Sequence, residues 1–248
     1  MKKLLTLLAV STTALLSHYA LASATVTAED LSQHRTVKID NVASLSALVT
    51  HPDLAQGVWW PGAIIATPAA TRTAMLDKQL LLNRLESCAA NASPEDAHML
   101  RSVKQQLQDI RVTGRQFVSL DPDVVRTKAG ADRRLEGEYS LYTYPRPSTV
   151  RLMGAVSGAG KLTWQPGAPV SRYLEGHQRL SGGNKSEATV IHPDGHTSVV
   201  PVAYWNARHR EAEPGSILWV GFDGCSSHDA AGSLSDDIIS LLTRRIPD

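Results

Sequence analysis

The chain has 248 residues, 25 Lys and Arg against 24 Asp and Glu, and 42% hydrophobic residues. So even a charge balance argues against nucleic acid as a partner, because phosphate binding needs a basic surface. Beyond the N-terminal segment no run of 18 apolar residues occurs, so no transmembrane span is expected.

The chain opens MKKLLTLLAVSTTALLSHYALASA. Lys2 and Lys3 form a positive start, residues 4–16 are largely apolar, and Ala20-Leu21-Ala22 fits a small-x-small cleavage site. A span needs about 20 apolar residues, so residues 1–22 read as a secretory signal peptide cleaved near Ala22. No lipobox cysteine follows, and the expected product is soluble rather than lipid-anchored. Loss of Lys2 and Lys3 leaves 23 basic residues against 24 acidic ones. The remaining length suits one large or two small domains. Cys88 and Cys225 lie 137 residues apart. In an oxidising compartment the pair invites a disulfide, and two buried free thiols are the alternative. Closing so long a loop would contribute at most about 5 kcal/mol in the chain-entropy picture.

From residue 23 to 67 the pattern is mixed: RTVKID reads as a strand, SLSALVTHPDL as a short helix, and GVWWPGAIIA as a strand interrupted by a turn. Pro61-Gly62 suits a type II turn with glycine at positive φ. Residues 68–110 change texture. The first half is a helix with Leu76, Leu80, Leu81 and Leu85 at helical spacing. A second helix starts afresh, with Ser93 as N-cap, Pro94 at the first position and Asp96 in the capping-box place. Leu100, Val103, Leu107 and Ile110 form its apolar stripe, widened by Met99. Two helices joined by about three residues make a hairpin. Strand-like sequence flanks it on both sides, so it reads as an insertion.

Strands return with VTGRQFVSL and EGEYSLYTYP, and Pro145-Arg146-Pro147 reads as a linker. Beyond it TVRLMGAV and GKLTWQPG form a hairpin, PVSRYLEG a short helix, and EATVIHPDGHTSVVPVAYWN a second hairpin turning at Asp194-Gly195. Trp205 is expected to pack that hairpin. EPGSILWVGF closes the sheet. Both units run hairpin, short helix, further strands. That order suggests a repeated α+β fold of the β-grasp (ubiquitin-like) plan. The expected divisions are a first domain at 23–146 with a helical hairpin insert at about 68–110, a second at 147–226, and a C-terminal amphipathic helix in 227–248. In that tail Ser233 is the expected N-cap, Asp236 and Asp237 lie near the positive end of the dipole, and Arg244 and Arg245 near the negative end. Leu234, Ile238, Leu241, Leu242 and Ile246 share one face. The helix could lie on a membrane or pack on its own domain. Its length of about 20 Å falls short of the roughly 30 Å hydrocarbon core and favours packing.

A catalytic constellation is hard to find. There is no Gly-x-Ser-x-Gly elbow, no Walker loop, and no carboxylate pair placed for glycoside hydrolysis. His192 and His196 flank a hairpin tip, where side chains more often face water than bind metal. No metal and no cofactor is expected. Cys225 lies three residues before His228, but spacing alone does not make a nucleophile. The five tryptophans could stack on sugar rings, though such residues are more often partly buried. Arg115 carries more weight. In a strand over residues 112–120 it would share a face with Phe117, expected in the core, and Gly114 would clear space beside it. A guanidinium there must find acceptors. It could tie the inserted hairpin to the sheet through main-chain carbonyls, or serve as a ligand pocket for carboxylate or phosphate.

The segment VRLMGAVSGAGKLTWQPGAPVSRYL, with ATVIHPDGHTSVVPVAYWN and PGSILWVGF after it, resembles the GfcC family of capsule biogenesis proteins. The signal peptide, the VTGRQFVSLDPDVVR stretch and the terminal helix fit the same family, so the resemblance covers essentially the whole chain. It implies a periplasmic, non-enzymatic factor of Gram-negative bacteria in assembly or export of an O-antigen-type (group 4) capsule. The family is similar in design to outer-membrane polysaccharide export proteins. Such export proteins and capsular polysaccharide are the implied partners. The family's arginine in the Thr-Gly-Arg stretch maps onto Arg115, which adds to the pocket reading without giving a ligand. No catalytic residue carries over. The other reading is a carbohydrate-active enzyme that trims or transfers the glycan.

Overall fold

The computed structural model of the chain describes residues 23–54, 57–223, 225 and 233–247. The expected signal peptide with its cleavage site at Ala22, and the start of the expected tail, lie outside them.

The first sheet holds β1 (Ala24–Asp30), β2 (Arg35–Val42), β3 (Ile64–Ala66) and β4 (Gly137–Thr143) in the order β2-β1-β4-β3. β1 and β2 form an antiparallel hairpin, β1 runs parallel to β4, and β3 is antiparallel to β4. Ala24, Val26 and Ala28 alternate inward. They meet Leu45 and Leu48 of α1 (Leu45–Val49) and Val125 of α4 (Pro122–Thr127) in one core. Both helices start at a side-chain cap, Ser44 on Ala47 N–H and Asp121 on the N–H groups of Asp123 and Val124. The turn expected at Pro61-Gly62 differs. It is a 3-10 turn over Trp60–Gly62, and Gly62 is not among the positive-φ glycines. Glycine is needed there for space, since a Cβ would lie 2.1 Å from the Tyr144 hydroxyl.

The second sheet holds β5 (Thr149–Gly154), β6 (Gly160–Thr163), β7 (Glu187–Ile191), β8 (Thr197–Pro201) and β9 (Ile217–Val220) in the order β6-β5-β9-β7-β8. Again the first strand sits between its antiparallel hairpin partner and the last strand, to which it is parallel. β9 therefore does not close an edge; it runs through the middle of the sheet. All four of its residues are buried, as a strand covered on both faces requires. Leu218 and Val220 face a core with Val150, Leu152 and the 3-10 turn over Val170–Leu174. Ile217 and Trp219 face the helices.

Those helices are α2 (Pro68–Ala90), α3 (Pro94–Gln108) and α5 (Leu234–Thr243). Ser93 caps α3 through the Asp96 N–H at 3.2 Å and donates to the Asp96 carboxylate at 2.9 Å. α2 and α3 run side by side: Lys78 reaches the carbonyls of Gln108 and Ile110, and Glu86 meets Lys104. Leu81 and Leu85 are buried, whereas Leu76 and Leu80 point outward. The inner faces of α2 and α3 turn to the second sheet. They share a core with Met153, Ile191, Ile217 and Trp219 of the second sheet and with α5. α5 buries Leu234, Ile238, Leu241 and Leu242, and Ile246 follows them inward. Ser233 precedes the helix without a side-chain capping bond. Asp237 pairs with Arg84 of α2, and Arg244 with Asp77 at 3.0 Å. Cys88 near the end of α2 is joined to Cys225 in a disulfide, with their Cα atoms 5.7 Å apart. None of the described helices is long and apolar enough to cross a membrane.

Candidate functional site

Residues 112–120 form no regular strand. The segment is held by isolated bridges, Ala66 to Arg115 and Val112 to Arg245, and by the Gln116 N–H on the Ile65 carbonyl at 2.8 Å. Gly114 presses against the start of α2: a Cβ there would lie 2.2 Å from the Thr71 nitrogen. Its own N–H donates to the Thr71 hydroxyl at 2.9 Å. Local hydrogen bonding, not strand alternation, thus aims the next side chain, Arg115, into the protein.

Arg115 is 7% exposed. Its guanidinium donates to the Thr243 carbonyl at the end of α5 (3.3 Å) and to the Pro193 carbonyl in the β7–β8 turn (2.8 Å). A cation at the C-terminal end of a helix meets the negative end of its dipole and one of its orphan carbonyls. Phe117, expected in the core, is instead 56% exposed and caps the guanidinium, with its ring centre 5.8 Å from Cζ. Gly195 closes the other side, where a Cβ would lie 2.8 Å from the Phe117 ring and 3.1 Å from Arg115 Cζ. Burial, with the Arg245 guanidinium nearby, lowers the Arg115 pKa to about 10, so it remains charged at neutral pH. Burial pushes the Tyr144 phenol up to about 12, against the pull of Arg245 and Arg115. The guanidinium thus holds main-chain carbonyls of the β7–β8 turn and of the end of α5, and neither belongs to the inserted helices.

Arg245, Tyr144 and Thr243 enter this site without any sequence signal, because they come from distant segments that only the tertiary fold brings together. Arg245 also donates to the Gly215 carbonyl. The histidines at the turn do not both face water. The rings of His192 and His196 stack 4.0 Å apart, and His192 is largely covered, with Nε2 2.9 Å from the Ser198 hydroxyl. Burial and then repulsion from His196 hold His192 below its usual pKa, while Glu213 and Asp194 pull the other way. Among the described residues no three His, Cys, Asp or Glu side chains gather as a metal set. Trp205 does not pack its hairpin. It is 63% exposed beside Tyr204, 93% exposed, on a turn after β8. The Asn206 carboxamide folds that turn by accepting from the Ala203 N–H, and it donates to the Ser186 carbonyl. In the bridge to Cys88, Cys225 is not a free thiol and offers no nucleophile in this state.

Two mixed sheets, a shared helical core and a buried arginine clamp define a two-sheet α+β protein whose most enclosed charged site holds the architecture together. Residues 22–146 match the family described as "Capsule biosynthesis GfcC, N-terminal", and residues 158–247 match "Capsule biosynthesis GfcC C-terminal". The chain belongs to the GfcC capsule biosynthesis family. It is similar to the uncharacterized protein YjbG of Escherichia coli (strain K12), with 44% identity over 200 residues and 81% of each chain covered.

Proposed function

We propose that the protein is a periplasmic, non-enzymatic factor in capsule assembly or export, acting by binding export-machinery proteins or glycan. The observation that carries this reading, in a chain of this family, is the burial of the whole apolar face of α5 against α2 and the second sheet. Those side chains serve the protein core, so the helix acts as part of a rigid adaptor rather than as a membrane inserter. On this reading both units are β-grasp modules. The strand order second-first-last, with the first and last strands parallel, recurs in the two sheets and supports that plan. The first module spans 23–146, with α2 and α3 as a helical hairpin inserted at about 68–110. The second spans 147–226, and the tail follows. The N-terminal segment serves as the export signal.

Deleting the gene is expected to abolish surface capsule while precursor synthesis continues. Failure of precursor synthesis in the deletion strain would overturn an export role. New products from capsular oligosaccharide incubated with the purified protein, seen by mass spectrometry, would replace the adaptor with a glycan-processing enzyme.

A further inference from the structure

The turn after β8 carries the most exposed aromatic rings among the described residues. Tyr204 is 93% exposed and Trp205 63%. Their rings meet edge to face, with centres 5.2 Å apart and planes at 89°. The backbone beneath them is fixed. The Asn206 carboxamide accepts from the Ala203 N–H at 3.0 Å and donates to the Ser186 carbonyl at 3.3 Å. The N–H groups of Asn206 and Ala207 both donate to the Ala203 carbonyl, at 3.0 and 2.7 Å. Ala203 itself is buried, so the base of the turn is anchored while the rings stand in water.

Single exposed apolar side chains are ordinary, whereas adjoining ones mark a contact surface. Neither ring belongs to any of the three cores, so the fold does not call for a tryptophan or a tyrosine at these positions. Such rings offer a large amphipathic surface with only two torsions to fix. The anchored turn and the edge-to-face contact reduce further the ordering that binding costs. Around the rings the surface is polar. Ala207, Arg208, His209 and Arg210 follow in one exposed run, and Glu211 lies on His209 at 3.2 Å. Neither the Arg208 nor the Arg210 side chain has a hydrogen-bond or ion-pair partner among the described residues, so both can meet a ligand without giving up an internal contact.

We infer that the Tyr204–Trp205 turn is a saccharide-binding platform, on which pyranose rings of a glycan chain lay their C–H faces against the aromatic faces while Arg208 and Arg210 donate to hydroxyl or carboxylate oxygens alongside. This inference rests on the proposed capsule role and names the surface that meets the glycan. A pyranose has an apolar C–H face and a hydroxyl rim, and an aromatic ring with a polar tip complements both. A guanidinium adds five donors and no acceptor, which suits an oxygen-rich partner. Size separates this reading from a protein partner. A stable protein interface covers about 800 Å² on each side around a desolvated apolar centre. Here two rings stand on a turn, followed by a charged run, and that is the scale of one or two sugar rings.

The test is affinity electrophoresis of the purified protein through gels containing capsular polysaccharide from a strain that carries the gene. Retardation is expected, and the Trp205→Ala and Tyr204→Ala variants should each bind at least tenfold more weakly. Both side chains are exposed, so the melting temperature should stay within about 2 °C of the parent. Trp205→Phe, which keeps a ring, should retain most of the affinity. Repeating the gels at about 0.5 M salt screens charge and leaves stacking, and the gap between parent and Trp205→Ala should persist there. No retardation of the parent, or unchanged affinity in both alanine variants, would overturn the platform. Binding that vanishes at high salt would make the interaction ionic adsorption and overturn it as well. An envelope protein that co-purifies with the parent and is lost in Trp205→Ala, with glycan binding intact, would replace the saccharide with a protein partner. In cells the two proposals separate. A deletion strain that keeps its capsule overturns the capsule role. A deletion strain that loses its capsule and is fully restored by the Tyr204→Ala, Trp205→Ala double variant overturns only the platform.

Discussion

Replacing Ile238 by alanine tests whether α5 belongs to the cooperative core. Ile238 is fully buried among α2, α3 and the helix-facing side of the second sheet. The substitution removes three carbons at about 0.8 kcal/mol each, or about 2.4 kcal/mol of transfer free energy. Any cavity left behind adds about 24 cal/mol per Å³, and buried Ile→Ala changes span about 2–5 kcal/mol in total. For a chain of this size each kcal/mol shifts Tm by about 2–4 °C, so a fall of roughly 4–20 °C is expected. Thermal unfolding of the purified protein, followed by circular dichroism, gives the number. Leu80→Ala is the internal control, because Leu80 projects outward from α2 and should stay within about 0.5 kcal/mol of the parent. An Ile238→Ala protein that melts with the parent, or a control that falls equally far, would show that α5 is not docked as described, and the adaptor reading would lose its support.

Arg115→Ala leaves the buried carbonyls of Thr243 and Pro193 without their charged donor; at about 1.5–3 kcal/mol per hydrogen bond to a charged group, a loss of roughly 3–6 kcal/mol is expected in urea unfolding. An unchanged unfolding midpoint together with lost glycan binding would reinstate Arg115 as a ligand residue. Burial, and then repulsion from His196, holds the folded-state pKa of His192 below the ordinary imidazole value of about 6.5, so its contribution is present above that value and declines as pH falls below it. His192→Gln should flatten the acid limb of stability measured from pH 7.5 to 5, and an identical slope in the variant would remove His192 as its cause.

Where the sequence carries a local signal, the fold follows it. Ser93 with Pro94 starts α3, Asp194-Gly195 turns the β7–β8 hairpin, and the apolar spacing of the tail marks the buried face of α5. Elsewhere the signal is ambiguous or the partners are remote. α2 carries leucines at 76, 80, 81, 82 and 85, almost all round the helix, so spacing alone does not separate buried Leu81 from exposed Leu80. Residues 112–120 alternate like a strand, yet their backbone partners lie far away in the chain, the Ile65 carbonyl and the Arg244 carbonyl. Phe117 escapes the core because it covers a cation. Trp205 escapes it because β8 is an edge strand and the chain leaves that edge through a turn folded by Asn206. β1, which pairs on both sides, carries no clear strand signal in the sequence: its inward Ala24, Val26 and Ala28 are too small to stand out from the residues around them.

Arg245 braces the clamp. Its backbone bridges Val112, its side chain holds the Gly215 carbonyl, and its positive charge repels that of Arg115. Beside it the Thr113 N–H holds the Arg244 carbonyl at 2.9 Å, and the Ile246 N–H holds the Arg111 carbonyl at 2.8 Å. The end of α5 is thereby strapped to the first unit while its body packs on the second sheet. Releasing the helix would break the strap, expose five apolar side chains and take the Thr243 carbonyl from the buried Arg115 guanidinium, leaving it the Pro193 carbonyl alone, so docking and the clamp support each other. Two neighbouring buried cations repel, and that repulsion works against the closed arrangement.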